Sequence, residues 1–121
     1  MVRDVNPEQA AETIASTKIV FIDAWAPWCG PCLALAPTIE ELESKYSDNQ
    51  DIAFIKLNTQ EHRSFAMDYN ISAIPCVLVF KEGNPASFEL NDPRSGGKVK
   101  TDRIIGLRPI DHFEEVVEQL I

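Results

Sequence analysis

The sequence is short of clustered positive charge. Its 11 Lys and Arg face 19 Asp and Glu, for a formal charge of −8, and no Lys/Arg-rich run stands out. Phosphate backbones are held by clustered cations, so a nucleic-acid partner is not expected. Long apolar runs are also missing. The longest are strand-length, too short to span a bilayer, and no membrane role is expected. Met1-Val-Arg-Asp-Val-Asn-Pro7 lacks the apolar segment of a signal peptide, which gives a cytoplasmic expectation. Cysteine is sparse, with three residues. So low and odd a count excludes a secreted disulfide scaffold. A close pair in a reducing compartment is then catalytic or metal-binding. What is present is 121 residues, 45% apolar and 25% charged. That is enough for one core and one domain over 1–121, and a monomer is expected.

The chain is organised around residues 19–32. Lys18 to Trp25 is an apolar run rich in Val and Ile, with one acid, Asp23, inside it. It reads as a strand covered on both faces. It passes through Pro27 into Trp28-Cys29-Gly30-Pro31-Cys32. After Cys32 the apolar residues fall at Leu35, Ala36, Ile39, Leu42 and Tyr46, a helical spacing. A buried strand therefore feeds a turn that opens a helix, with Cys29 at its start. Free N–H groups and partial positive charge at a helix N-terminus stabilise a thiolate, the nucleophile of disulfide exchange. Cys32 lies one turn further on, close enough to bond with Cys29. A dithiol that opens and closes in place is the simplest reading.

These residues resemble the active site of the thioredoxin family, with its W-C-G-P-C core. Asp23, Pro37, Lys56, Ile74-Pro75 and Gly106 follow in the family's order and span most of the chain. The resemblance implies a thioredoxin fold, a three-layer α/β/α sandwich around a central mixed sheet. It implies a thiol–disulfide oxidoreductase that reduces protein disulfides, with Cys29 attacking and Cys32 resolving. Asp23 would lie beneath Cys32 and help move its proton, paired with Lys56. Trp28, Gly30, Pro31, Ile74, Pro75 and Gly106 would form the substrate surface. The Ile74–Pro75 bond would be cis, and Ile74 would offer backbone hydrogen bonds to an extended substrate. No cofactor would be bound. An NADPH-dependent flavoprotein, thioredoxin reductase, would restore the dithiol.

The remaining elements follow from pattern. Met1 to Val5 reads as a short edge strand. Asn6-Pro7 starts a helix through Ser16. The active-site helix runs from Cys29 to Tyr46, kinked at Pro37. Ile52 to Leu57 is a second strand, parallel to the first. A helix is expected from Thr59 or Gln60 to Tyr69, then a strand from Cys76 to Phe80. The last helix runs from Pro109 to Leu120, with Ile110, Phe113, Val116, Val117 and Leu120 on one face.

The stretch from Ala86 to Ile105 exceeds what a typical thioredoxin places there. Strand-like pieces at Ser87 to Leu90 and Val99 to Ile105 flank the turn-forming Asn91 to Gly97. An extended hairpin or flexible flap is expected, projecting from the far edge of the sheet, away from Cys29. Two other functions stay open: a disulfide oxidant or isomerase, and a binding or redox-switch module that docks a partner through 86–105. Gly30-Pro31 argues against the oxidant. Zinc needs four ligands, and beyond Cys29 and Cys32 only Cys76, His62 and His112 remain, without a second paired spacing. Cys76 reads as an inert strand residue, and both histidines as helix-surface residues without a role.

Overall fold

A computed structural model describes residues 1–121. In chain order the elements are β1 (Arg3–Asp4), α1 (Pro7–Ser16), β2 (Ile19–Trp25), α2 (Gly30–Lys45), β3 (Ile52–Asn58), α3 (Arg63–Asp68), β4 (Cys76–Lys81), β5 (Asn84–Pro85), β6 (Phe88–Asn91), β7 (Lys98–Thr101), β8 (Arg103–Ile105) and α4 (Ile110–Leu120). The main sheet runs β1-β3-β2-β4, with β5 and β8 both paired to the outer edge of β4. β1, β3 and β2 are mutually parallel, and β4 enters antiparallel to β2. The helix between β2 and β3 enforces their parallel pairing.

Alternation along the strands builds two cores, one on each face of the sheet. Phe21, Phe54, Val77 and Val79 pack with Leu35, Ile39 and Leu42 of α2 and Phe113, Val116 and Val117 of α4. On the other face Val20, Ile22, Leu57 and Leu78 pack with Ala10 of α1 and Phe65 of α3. The result is the expected three-layer sandwich around a mixed sheet. β2 is buried on both faces, so it forms the floor from which the dithiol turn rises.

Helix boundaries follow local chemistry. At α1, Asn6 Oδ1 accepts from Gln9 N at 2.8 Å and Gln9 Oε1 accepts from Asn6 N at 3.0 Å, a reciprocal capping box. α2 continues past Pro37 to Lys45. α3 starts later than expected. The buried Asn58 accepts from Gln60 N at 2.9 Å and Glu61 N at 3.4 Å. That side chain holds residues 59–62 in a turn and competes with helix formation. His62 therefore precedes α3 rather than lying on it.

Of the two forms expected for the 86–105 stretch, an extended hairpin or a flexible flap, the structure shows the hairpin, docked on α4. β6 and β7 pair as a separate two-stranded sheet, and Phe88 and Leu90 are buried with Phe113, Val116 and Leu120. Two alternate apolar residues give β6 one face that must be covered, and α4 supplies the cover. The backbone of Glu89 exchanges two 2.8 Å hydrogen bonds with the Gln119 side chain. Its direction differs from expectation. The chain leaves the sheet where Ala86 N donates to Val79 O at 2.9 Å and rejoins where Val79 N donates to Asp102 O at 3.3 Å. From Gln119, β6 climbs alongside α4 to Asn91, whose carbonyl accepts from Arg108 Nη1 at 2.9 Å. The hairpin thus points toward the end of the sheet that carries Gly106, not the far end.

Candidate active site

The turn after β2 is held by backbone bonds at both ends. Trp25 O accepts from Thr59 N at 2.8 Å and from Thr59 Oγ1 at 3.1 Å. Cys29 N donates to Ala26 O at 3.1 Å, and Leu33 N donates to Cys29 O at the same distance. Cys29 is the N-cap of α2, with Gly30 and Pro31 as its first residues. Its Sγ accepts from Cys32 N at 3.2 Å. Proline loses nothing here, because the first helical N–H groups have no intrahelical partner.

Cys29 and Cys32 are joined by a disulfide, with Cα atoms 5.2 Å apart. Cys29 Sγ lies 3.9 Å from the carbonyl oxygen of Ile74. The Ile74–Pro75 peptide is cis, as the family resemblance implies. Pro75 O accepts from Gly106 N at 2.8 Å. Gly106 adopts φ +91°, a conformation that glycine reaches without steric cost. Three separated stretches thus meet at one end of the sheet: the dithiol turn, the Ile74–Pro75 loop and the Gly106 loop. Trp28 beside them is 71% exposed.

Asp23 is buried in β2, and its Oδ1 has no hydrogen-bond partner. Burial disfavours its charged form and pushes its pKa from an ordinary 3.8 to about 7, with Lys56 opposing and Asp4 adding to the rise. The expected ion pair with Lys56 is not formed. Lys56 is the register partner of Asp23 on β3, but its ammonium sits over the Trp25 ring, 5.1 Å from the centroid. Attraction to an aromatic face in contact with water costs the lysine less desolvation than entry into the core. Cys76, the one free cysteine, is walled into β4, and burial raises its thiol to about 11.

Two residues at this end escaped the sequence reading, Arg103 and Arg108. Both donate to backbone carbonyls. No sequence pattern marks a side chain whose partners are main-chain atoms.

A disulfide at the N-terminus of a helix, on an α/β/α sandwich and against a cis-proline loop, defines a dithiol–disulfide protein. Comparison with known proteins narrows that class. The thioredoxin family model matches residues 1–104. The chain is 48% identical over 83 residues to a chloroplastic M-type thioredoxin of Spinacia oleracea, a match covering 68% of this chain and 45% of the relative. It is 43% identical over 72 residues to thioredoxin 1 of Synechococcus elongatus, covering 60% and 65%. With a thioredoxin of Staphylococcus aureus it shares 34% over 101 residues, covering 84% and 81%. The match thus spans under two thirds of the first two relatives' own lengths. Among solved structures, a Plasmodium falciparum thioredoxin superposes with TM-score 0.75 at 24% identity, covering 99% of this chain and 100% of that one. Oxidised mitochondrial thioredoxin 3 of Saccharomyces cerevisiae gives 0.75 at 23%, covering 98% and 95%. The chain belongs to the thioredoxin family and has the thioredoxin fold.

Proposed function

We propose that the chain is a thiol–disulfide oxidoreductase that reduces disulfides in protein substrates. The observation that carries this reading is the Cys29–Cys32 disulfide at the start of α2, with Cys29 Sγ beside the Ile74 carbonyl. In the reduced protein the Cys29 thiolate attacks one sulfur of a substrate disulfide. A mixed disulfide forms, and the other substrate sulfur leaves as a thiolate that takes up a proton. Cys32 then loses its proton, attacks Cys29 Sγ and releases the second substrate thiol. Two electrons pass from the dithiol to the substrate. Helix α2 favours the thiolate through its N–H groups and dipole. Asp23, with its pKa near 7, is suited to accept a proton at neutral pH.

A protein-sized substrate fits the surface. None of the four cavities in the molecule is lined by Cys29, Cys32 or Trp28. Cys29 is only 5% exposed and Cys32 2%, while Trp28 beside them and Ile105 and Leu107 flanking Gly106 expose apolar area. Small-molecule sites are concave, whereas exposed apolar patches mark contact with other macromolecules. The substrate would lie extended across Ile74 and Gly106. The oxidised pair then needs two electrons, which we assign to an NADPH-dependent flavoprotein reductase.

The reduced protein is expected to speed the reduction of insulin disulfides by dithiothreitol, and Cys32→Ser to accumulate a mixed disulfide through Cys29. No acceleration, or a faster oxidation of reduced proteins than reduction of oxidised ones, would replace the reductase reading with the oxidant one.

A further inference from the structure

We infer that Arg103 and Arg108 are positioning residues that hold the two backbone walls of the substrate groove. The inference rests on the proposed reading that an extended substrate lies across Ile74 and Gly106. One wall is the loop from Asn70 to Pro75. It follows α3, a helix of six residues with no basic residue in its last turn. A helix that short is not stable by itself, and its last carbonyls need donors. Arg103 Nη1 donates to Tyr69 O at 2.8 Å and to Asn70 O at 3.5 Å. Asp102 Oδ1 accepts from Arg103 Nε at 2.9 Å and orients the fork. Asn70, at φ +54°, is where the chain turns out of the helix toward Ile74. Arg103 therefore ties the start of that loop to β8, while Gly106 N ties its end through Pro75 O.

The other wall is the segment from Ile105 to Arg108. Arg108 Nε donates to Ile105 O at 3.1 Å, Nη1 donates to Asn91 O at 2.9 Å, and His112 Nδ1 lies 3.5 Å from Nη1. One side chain thus joins the Gly106 loop, the inserted hairpin and α4. The hairpin is an anchored base for this brace, since Phe88 and Leu90 are buried against α4. The planar guanidinium reaches two carbonyls at once with little further loss of freedom, which a lysine ammonium cannot match. Fixing the walls during folding removes an ordering cost from substrate binding. Both arginines bond to main-chain carbonyls of the walls, so they act through the walls and not on the sulfurs.

The test uses Arg103→Met, Arg108→Met and the matching lysine variants of the full chain. Insulin reduction gives KM and kcat, and a small aromatic disulfide and iodoacetamide report the dithiol without the groove. Each methionine variant is expected to raise KM for insulin about fivefold, with lysine intermediate. Values of kcat, small-disulfide rate and alkylation rate should stay within about twofold. Unchanged KM in both methionine variants would overturn the proposal. So would a fall of kcat and small-disulfide rate in step with the rise in KM, which marks a merely structural role. If a methionine variant does not fold, its lysine counterpart decides by the same criteria. If the unmodified protein itself fails to reduce insulin, the functional reading fails first. If it reduces insulin and the variants keep its KM, only the bracing fails.

Discussion

The dithiol turn and the β6–β7 hairpin, which points toward the end of the sheet that carries Gly106, are built in opposite ways. In the hairpin, β6 and its turn follow local preference. Phe88 and Leu90 alternate into an apolar interface, turn-forming residues fill 92–97, and Gln119 answers the backbone of Glu89. Around the dithiol, preferences are broken. Asp23 is buried with an unpartnered oxygen, and Trp28 is exposed. Consistency across levels favours stability, and its violations collect where chemistry happens. The hairpin is scaffold by this criterion, and the dithiol end is site.

The comparison breaks most directly at Cys29. Cys29→Ser is expected to lower insulin reduction to the rate without protein, since serine is not a nucleophile for disulfides at neutral pH. Substantial residual turnover would move the nucleophile elsewhere.

Asp23 should show the cost of the site as a pH dependence. In the fold it keeps its proton up to about pH 7, whereas unfolded it ionises near 3.8. Between those values the native state binds more protons than the unfolded one. Stability is therefore full below the unfolded pKa, falls as pH rises through the window, and levels off above the folded pKa. The total loss is on the order of 4 kcal/mol. Asp23→Asn removes the titration, so its melting temperature should gain on the parent between about pH 4 and 7 while turnover slows. Parallel melting curves over that range would mean that Asp23 is solvated.

On the scaffold side, Phe88→Ala should cost about 3 kcal/mol, read by denaturant unfolding, because it empties a buried site against α4. Reaction with a small disulfide should be unchanged. A cost below about 1 kcal/mol would return the hairpin to the status of a loose flap. The smallest effect is expected from Cys76→Ala. It removes one buried sulfur, costs about 1 kcal/mol and leaves turnover untouched. Loss of activity there would show that the third thiol takes part.

Much of this was legible in the sequence because it is carried by local patterns. The run Lys18 to Trp25, the helical spacing after Cys32 and the face of α4 each point to one partner surface. Asn6-Pro7 marked the start of α1 within a residue. Where the reading departed from the structure, the cause was non-local or a side chain in competition. Asn58 delays α3 by bonding its own following backbone. Lys56 is opposite Asp23 by register, yet its long stem lets the ammonium choose Trp25. The hairpin was visible as two strands around a turn, but its direction depends on contacts of Phe88 and Leu90 with a helix more than twenty residues later. Arg103 and Arg108 bond to carbonyls, which leave no residue signature at all.

The central claim is that position in the fold makes Cys29 the reactive thiol among three cysteines of one chain. Timed alkylation of the fully reduced protein near neutral pH, with the labelled residue identified by mass spectrometry, tests it directly. Cys29 should be labelled first, Cys32 more slowly, and Cys76 only on unfolding. Labelling of Cys32 or Cys76 ahead of Cys29 would contradict the account.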